Sequence, residues 1–193
     1  MKLKFIDLDK KTKYKIMSET IIPRPIAWVV TENERVINIA PFSYFVPLSS
    51  EPPTLLVSIG HKKDGTPKDT LRNTLKTQKA SICITPISMV EKMYLTSEAL
   101  PEKESEASKF GIMLERIEES FPPIIKGVDV AYFCSFLKKV DIGGSTIPLI
   151  YEILSVYLND EIIKDKKRMQ IDFDAVGRIG KKFAIRYKTI ELK

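Results

Sequence analysis

Apolar and β-branched residues fall along this chain in short runs separated by polar turns, and that pattern predicts strands. IAWVV (26–30) and RVINIA (35–40) flank the polar stretch Thr31-Glu32-Asn33-Glu34, the spacing of a hairpin. TLLVSIG (54–60), ASICIT (80–85), AYFCSFLKKVDI (131–142), LIYEILSVYL (149–158) and KFAIRYKTI (182–190) follow, rich in β-branched and aromatic residues. Seven strand candidates against two or three helices predict a mainly β fold, a barrel with peripheral helices.

The helices carry their own start signals. In GTPKDTLRNTLKTQ, Thr66 suits an N-cap, Pro67 the first helical position and Asp69 the reciprocal carboxylate of a capping box. SMVEKMY repeats the signature with Ser88 and Glu91, and PEKESEASKFG predicts a third, surface helix ending at Gly111. Pro122-Pro123 and Gly143-Gly144 punctuate the second half. The stretch 97–125, charged and poor in strand signals, reads as a helical excursion between barrel strands within a single domain spanning 1–193.

Composition narrows the class. Hydrophobic residues make up 44% and charged residues 29%, ordinary for a globular protein able to bury a core. No apolar run approaches the roughly 18 residues that cross a bilayer, and MKLKFIDLDK lacks the apolar stretch of a signal peptide; the expectation is a cytoplasmic protein. Cys83 and Cys134 sit in apolar runs without CxxC spacing and read as buried free thiols. The net charge of +6 is concentrated in residues 161–193, with ten Lys or Arg against five Asp or Glu. Their alternation with apolar residues, as in KKFAIRYKTIEL, is that of a solvated strand face; a nucleic-acid or phosphate-bearing partner is the competing reading.

Candidate chemistry is sparse. His61 is the only histidine, which excludes a histidine-rich metal site, and no metal is expected. Neither GxGxxG nor GxxxxGK[ST] occurs. SIGHKKDGTPKDTLRN (58–73) does stand out: a strand ends, a loop carries Lys62, Lys63 and Gly65, and a helix begins. Helix N-termini present unpaired N–H groups and partial positive charge, so this segment is a candidate phosphate cradle, aided by Ser58 and Thr70. Pro23, Pro25 and Pro41 are expected to interrupt pairing at both ends of the first hairpin. That would leave backbone groups for a flat polar-edged ligand, with Trp28, Phe42, Tyr44 and Phe45 supplying apolar area or packing the barrel behind it.

Taken in order, PRPIAWVVT, NIAPFSYF, PPTLLVSIG and KDTLRN resemble the flavin reductase-like, FMN-binding split-barrel family, and within it the flavoredoxin-like branch. SKFGI, PPIIKGVDVAYFCSFLKKVDIGG and LIYEILSVYLND agree more loosely, so the resemblance covers about residues 15–185. It implies a six-stranded Greek-key split β-barrel, a homodimer, and FMN held near the dimer interface. It also implies NAD(P)H-dependent flavin or ferric reduction, or electron carriage through bound FMN. By motif, Arg24, Pro25, Ile26 and Ala27, with Asn38, Ala40, Pro41, Phe42 and Ser43, would line the isoalloxazine; Ser58, Lys63, Lys68, Asp69, Thr70 and Asn73 would surround the ribityl chain and phosphate.

One departure matters. Many reductases of the family carry Gly-Asp-His before a Gly-Glu-Val strand, and that histidine is linked to nicotinamide use. Here the run reads Gly144-Ser145-Thr146, Tyr151 replaces the later glycine, and His61 lies in another block. The resemblance therefore supports FMN binding more strongly than the oxidation of NAD(P)H. A flavin reductase or flavoredoxin-like carrier is the leading expectation; a non-catalytic FMN-binding or storage protein and a basic nucleic-acid-binding barrel are the alternatives.

Overall fold

The computed structural model describes residues 1–185. Its main sheet contains β1 (Ala27–Asn33), β2 (Val36–Phe42), β3 (Phe45–Ser50), β4 (Pro53–Gly60), β5 (Lys79–Ile84), β6 (Val130–Lys139) and β7 (Thr146–Leu158). They pair antiparallel in the order β2-β1-β5-β6-β7-β4-β3. The two outermost strands, β2 and β3, are separated in the chain only by Ser43 and Tyr44, so they are halves of one bent strand. Counted that way, six strands curl into a split barrel, as expected. Tyr44 accepts a hydrogen bond from the Ser58 N–H at 2.8 Å, tying the bend to β4. Register shifts mark bulges at Leu137 in β6 and at Leu154 in β7, which increase the curl.

Alternate residues of β1 enter two different cores, which explains its unbroken apolar run. Ala27 and Val29 point into the barrel with Leu55, Val57, Ile82 and Leu149, whereas Trp28 and Val30 face outward against Met93, Phe121 and Ile125. Strands covered on both faces lose the polar alternation of a half-exposed sheet. Inside the barrel Tyr151 is fully buried, its hydroxyl 2.9 Å from that of Thr74.

Among the described residues four α-helices lie outside: α1 (Lys10–Thr20), α2 (Asp69–Thr77), α3 (Val90–Leu95) and α4 (Glu106–Lys109). No described helix is long and apolar enough to cross a membrane. Cys83 and Cys134 are buried free thiols as expected, and burial pushes the Cys83 thiol up to about 12.

Several local expectations are corrected. The hairpin turn is Glu34-Arg35, both at positive φ, the two-residue geometry that matches strand twist; Thr31 is a fully buried strand residue. Arg24-Pro25 does pair, with Gly177 and Arg178, in a small sheet completed by Lys182–Ala184. KFAIRYKTI therefore opens in that small sheet instead of the barrel, and its remainder lies outside the described residues. The seventh barrel segment is FVPLSS (45–50), whose five exposed residues and proline hide its strand character. Helix α3 starts at Val90 without the Ser88 cap, and the third helix shrinks to the four residues of α4. Helix α1 escaped sequence reading because it buries only Ser18 and so carries no apolar stripe; Asp9 caps it, accepting from the Lys11 and Thr12 N–H groups.

Candidate functional site

A cleft of about 590 Å³ opens where three walls meet. That volume is typical of small-molecule sites. The first wall is the outer edge of β2. Ile39 donates its N–H away from β1, to Glu106 Oε2 at 2.8 Å, so Ile39 and its partner Val30 form a non-hydrogen-bonded pair. Alternation along the ladder places Pro41, opposite Trp28, in the same outward orientation. Pro41 thus removes no ladder bond. It does not end the strand, contrary to expectation, and β2 continues through Phe42.

The second wall is the loop from β4 into α2. Lys62 N–H donates to Thr66 O at 2.8 Å, and the Asp64 carboxylate accepts from both the N–H and hydroxyl of Thr66. Thr66 is consumed by this turn instead of capping the helix. Helix α2 begins two residues later than Pro67, with Lys68 in the N-cap position and no side-chain cap. Its first-turn N–H groups therefore remain available at the cleft. The Asp69 carboxylate is neutralised by Lys62 at 2.9 Å and Arg72 at 2.7 Å. Lys68 is half-buried, lies 5.5 Å from the Phe42 ring centroid, and makes no ion pair among the described residues. Burial pushes its ammonium pKa down.

The third wall is the segment 96–100 with α4. Trp28 donates from Nε1 to Thr96 Oγ1 at 2.9 Å, and Thr96 donates in turn to Met93 O. Trp28 is fully buried behind this wall and does not line the cleft. Beneath the cleft, Asn38 donates to Thr70 Oγ1 at 2.9 Å and to Thr31 Oγ1 at 3.2 Å, and Asn73 also donates to Thr31.

Of the residues singled out by the resemblance, Asn38, Ala40, Pro41, Lys63, Lys68, Asp69 and Thr70 line the cleft. Asn73 lines a smaller neighbouring cavity, and Ile26 and Ser43 a third. Ala27 and Phe42 face the barrel interior. Arg24 is buried, donating to the Ser18 and Ile21 carbonyls, while Pro25 is exposed. Ser58 lies half-buried on β4 and contributes no wall to the cleft.

Glu106 was missed. Its sequence context is charged and reads as a solvated helix face, yet the side chain is 5% exposed and lines the cleft. Burial raises its pKa above the ordinary 4.5, outweighing the bond from Ile39; Asp69 raises it further and Lys62 lowers it. A carboxyl with a raised folded-state pKa favours the protonated native form. Its contribution to stability is greatest below pH 4.5 and declines as pH rises through the folded value. Glu106→Gln keeps a side-chain acceptor for Ile39 and removes this dependence. Urea denaturation across pH should show wild type losing stability relative to the variant as pH rises above 4.5.

Residues 17–171 match the family described as "Flavin reductase like domain". The chain belongs to the flavin reductase-like family. An uncharacterized Aquifex aeolicus protein is 31% identical over 182 residues, covering 93% of this chain and 92% of its own. The fold is shared with Pseudomonas fluorescens 2-nitrobenzoate 2-nitroreductase NbaA (TM-score 0.89, 24% identity, covering 100% of this chain and 95% of that one). It is shared also with flavoredoxin of Desulfovibrio vulgaris (TM-score 0.75, 16% identity, covering 100% and 97%).

Proposed function

We propose that this flavin reductase-like protein is an FMN-dependent oxidoreductase, a flavin reductase or flavoredoxin-like electron carrier, with FMN in the large cleft. The observation that carries the reading is the uncapped N-terminus of α2 opening beside Lys68, a half-buried cation without an ion pair among the described residues. A phosphate dianion satisfies the helix N–H groups, the helix dipole and the lysine at once. Lys63, exposed at the rim, adds charge that solvent screens. The hydroxyl of Thr70 accepts from Asn38 and keeps its own proton to donate to the ribityl or phosphate oxygens. The outer edge of β2 offers the Ile39 and Pro41 carbonyls to the polar rim of a flat ring, which Ala40 and Pro41 line with apolar surface.

Bound FMN supplies hydride and electron transfer. The chain's residues hold it, orient it and exclude water; direct hydride transfer to the ring needs no side chain acting as acid or base. Thr146 stands where the resemblance leads one to look for a histidine, and the carbonyl of its neighbour Ser145 accepts from the His61 N–H at 3.0 Å. NAD(P)H is accordingly the donor to be tested first, with a reduced protein as the alternative.

A homodimer is supported by apolar residues left exposed on barrel strands, Val46 and Leu48 on β3 and Leu154 and Val156 on β7. A cytoplasmic location is supported by two free thiols persisting in one chain.

Incubation with FMN followed by gel filtration should yield a yellow protein carrying stoichiometric flavin. A colourless protein that retains no flavin would overturn the reading and favour the nucleic-acid-binding barrel. Anaerobic mixing of the yellow protein with NADH and NADPH then separates reductase from carrier or storage protein. Bleaching of the flavin band identifies a nicotinamide reductase; reduction only by dithionite or a protein donor removes that activity.

A further inference from the structure

The cavity lined by Ile26 and Ser43, of about 180 Å³, lies against the large cleft; Pro41 and Ser97 line both. Its apolar walls come from four separate parts of the chain: Tyr14 on α1, Met93 and Tyr94 on α3, Ile26, and Phe183 in the small sheet. The aromatic members are braced by further rings. Tyr14 stacks on Tyr44 with centroids 6.3 Å apart, and Tyr94 meets Phe183 edge-on at 6.1 Å. An engineered apolar cavity of about 150 Å³ accepts benzene, so this volume suits one substituted six-membered ring.

The polar side of the cavity carries positive charge with no carboxylate lining it among the described residues. Arg178 lines it, its guanidinium 4.5 Å above the Phe183 ring and its Nε donating to Gly180 O at 2.9 Å. These two contacts fix the plane of the group and leave both terminal nitrogens without a partner among the described residues. Arg24 sits opposite Arg178 in the strand pairing, and neither arginine forms an ion pair with a carboxylate among the described residues. Arg24 Nη2 is buried and has no partner among the described residues, while its Nε donates to Ser43 Oγ at 3.4 Å. Ser43 also lines the cavity, and accepting from Arg24 leaves its hydroxyl proton to donate inward. No Asp or Glu is among the residues that line the space.

Two guanidinium groups without a carboxylate, one planar fork held rigid, a serine donor and aromatic walls are matched by one ligand chemistry. We propose that this cavity is a binding subsite for a small aromatic monocarboxylate, with the carboxylate on the Arg178 fork and Ser43 and the ring among Tyr14, Tyr94 and Phe183. Bidentate arginine–carboxylate pairing sets the orientation, and the ring replaces water on the apolar walls. The subsite's use as a specificity element rests on the FMN reading, because shared walls at Pro41 and Ser97 place its ligand beside the larger cleft. Its affinity for the ligand does not rest on that reading.

Isothermal titration with benzoate, on flavin-free and on FMN-loaded protein, tests the subsite. Benzoate should bind both forms, with benzamide and acetate each at least tenfold weaker, a comparison that needs no variant. Arg178→Gln should weaken benzoate at least tenfold and leave FMN affinity unchanged, and Arg178→Lys, which keeps charge but loses the fork, should fall between. The proposal is overturned if benzoate fails to bind either form, if benzamide or acetate equals it, or if a folded Arg178→Gln protein binds it like wild type. Benzoate binding without any FMN binding would leave the subsite standing and remove the FMN reading. FMN binding without benzoate binding would do the reverse.

Discussion

Lys68→Glu should weaken FMN binding at least about 100-fold. The effect follows from burial and from the absence of a competing ion pair among the described residues. Lys62 is held by Asp69, and Lys63 is exposed, so their charges are partly spent on the protein or screened by water. Lys68 lies half-buried at the start of α2, over the Phe42 ring and without an ion pair among the described residues. A charge-assisted hydrogen bond contributes about 1.5–3 kcal/mol, and a carboxylate in its place adds repulsion toward the phosphate. At about 1.4 kcal/mol per tenfold, the two together exceed two decades. Lys68→Met, which keeps the stem over Phe42, should cost about tenfold, and Lys63→Glu less than Lys68→Glu. Flavin fluorescence titrations at low and high salt check the series. Equal affinity in wild type and Lys68→Glu would remove the phosphate from this helix. Because burial lowers the lysine's pKa, wild-type affinity should also fall as pH rises through that depressed value, and Lys68→Met should lack the trend. Thr70→Ala is a poorer probe, since it also breaks the buried hydrogen bond from Asn38.

Trp28→Ala should destabilise the fold by about 3–5 kcal/mol, the range for removing a large buried aromatic. Trp28 is fully buried in the outer core, and its indole N–H is the group that holds Thr96. Trp28→Phe keeps most of the apolar contact and loses that hydrogen bond, with an expected cost of about 1–3 kcal/mol because Thr96 is also buried. Urea denaturation measures both. The two variants should differ in stability more than in FMN affinity, since Trp28 backs the wall at 96–100 without lining the cleft. A Trp28→Phe protein as stable as wild type but unable to bind FMN would place the indole against the ligand instead.

Where sequence reading succeeded, local pattern and burial agreed. The runs in β1, β4, β5, β6 and β7 are apolar because both faces of those strands are covered or one face lines the barrel. The helix at 69–77 announced itself through Pro67 and Asp69 at its start, although its cap was misplaced. Where reading failed, the deciding interaction was distant or depended on backbone sign. Thr66 has the right identity for a cap, but Asp64 captures its donors, and helix α2 is left open. Pro41 has the right identity for a strand end, but the outward phase of β2 makes its missing N–H harmless. Glu106 belongs to a charged run, yet the single bond from Ile39 draws it under the cleft wall. Nothing in ESEASKF distinguishes that glutamate from its solvated neighbours.

By itself, then, the order of residues determined the strands, the family and the lysine-rich approach to α2, because those rest on periodicity and on contiguous blocks. Only the tertiary structure decided which groups share the cleft. Asn38, Lys68, Thr96 and Glu106 come from four segments that meet only once the bent strand β2–β3 closes the barrel. It also decided that Trp28 stands behind the wall and that Arg178, far along the chain, stands beside Arg24. The reason is physical: strand phase and closure choose which side of each residue meets solvent, and neither quantity is carried by any local stretch of chain.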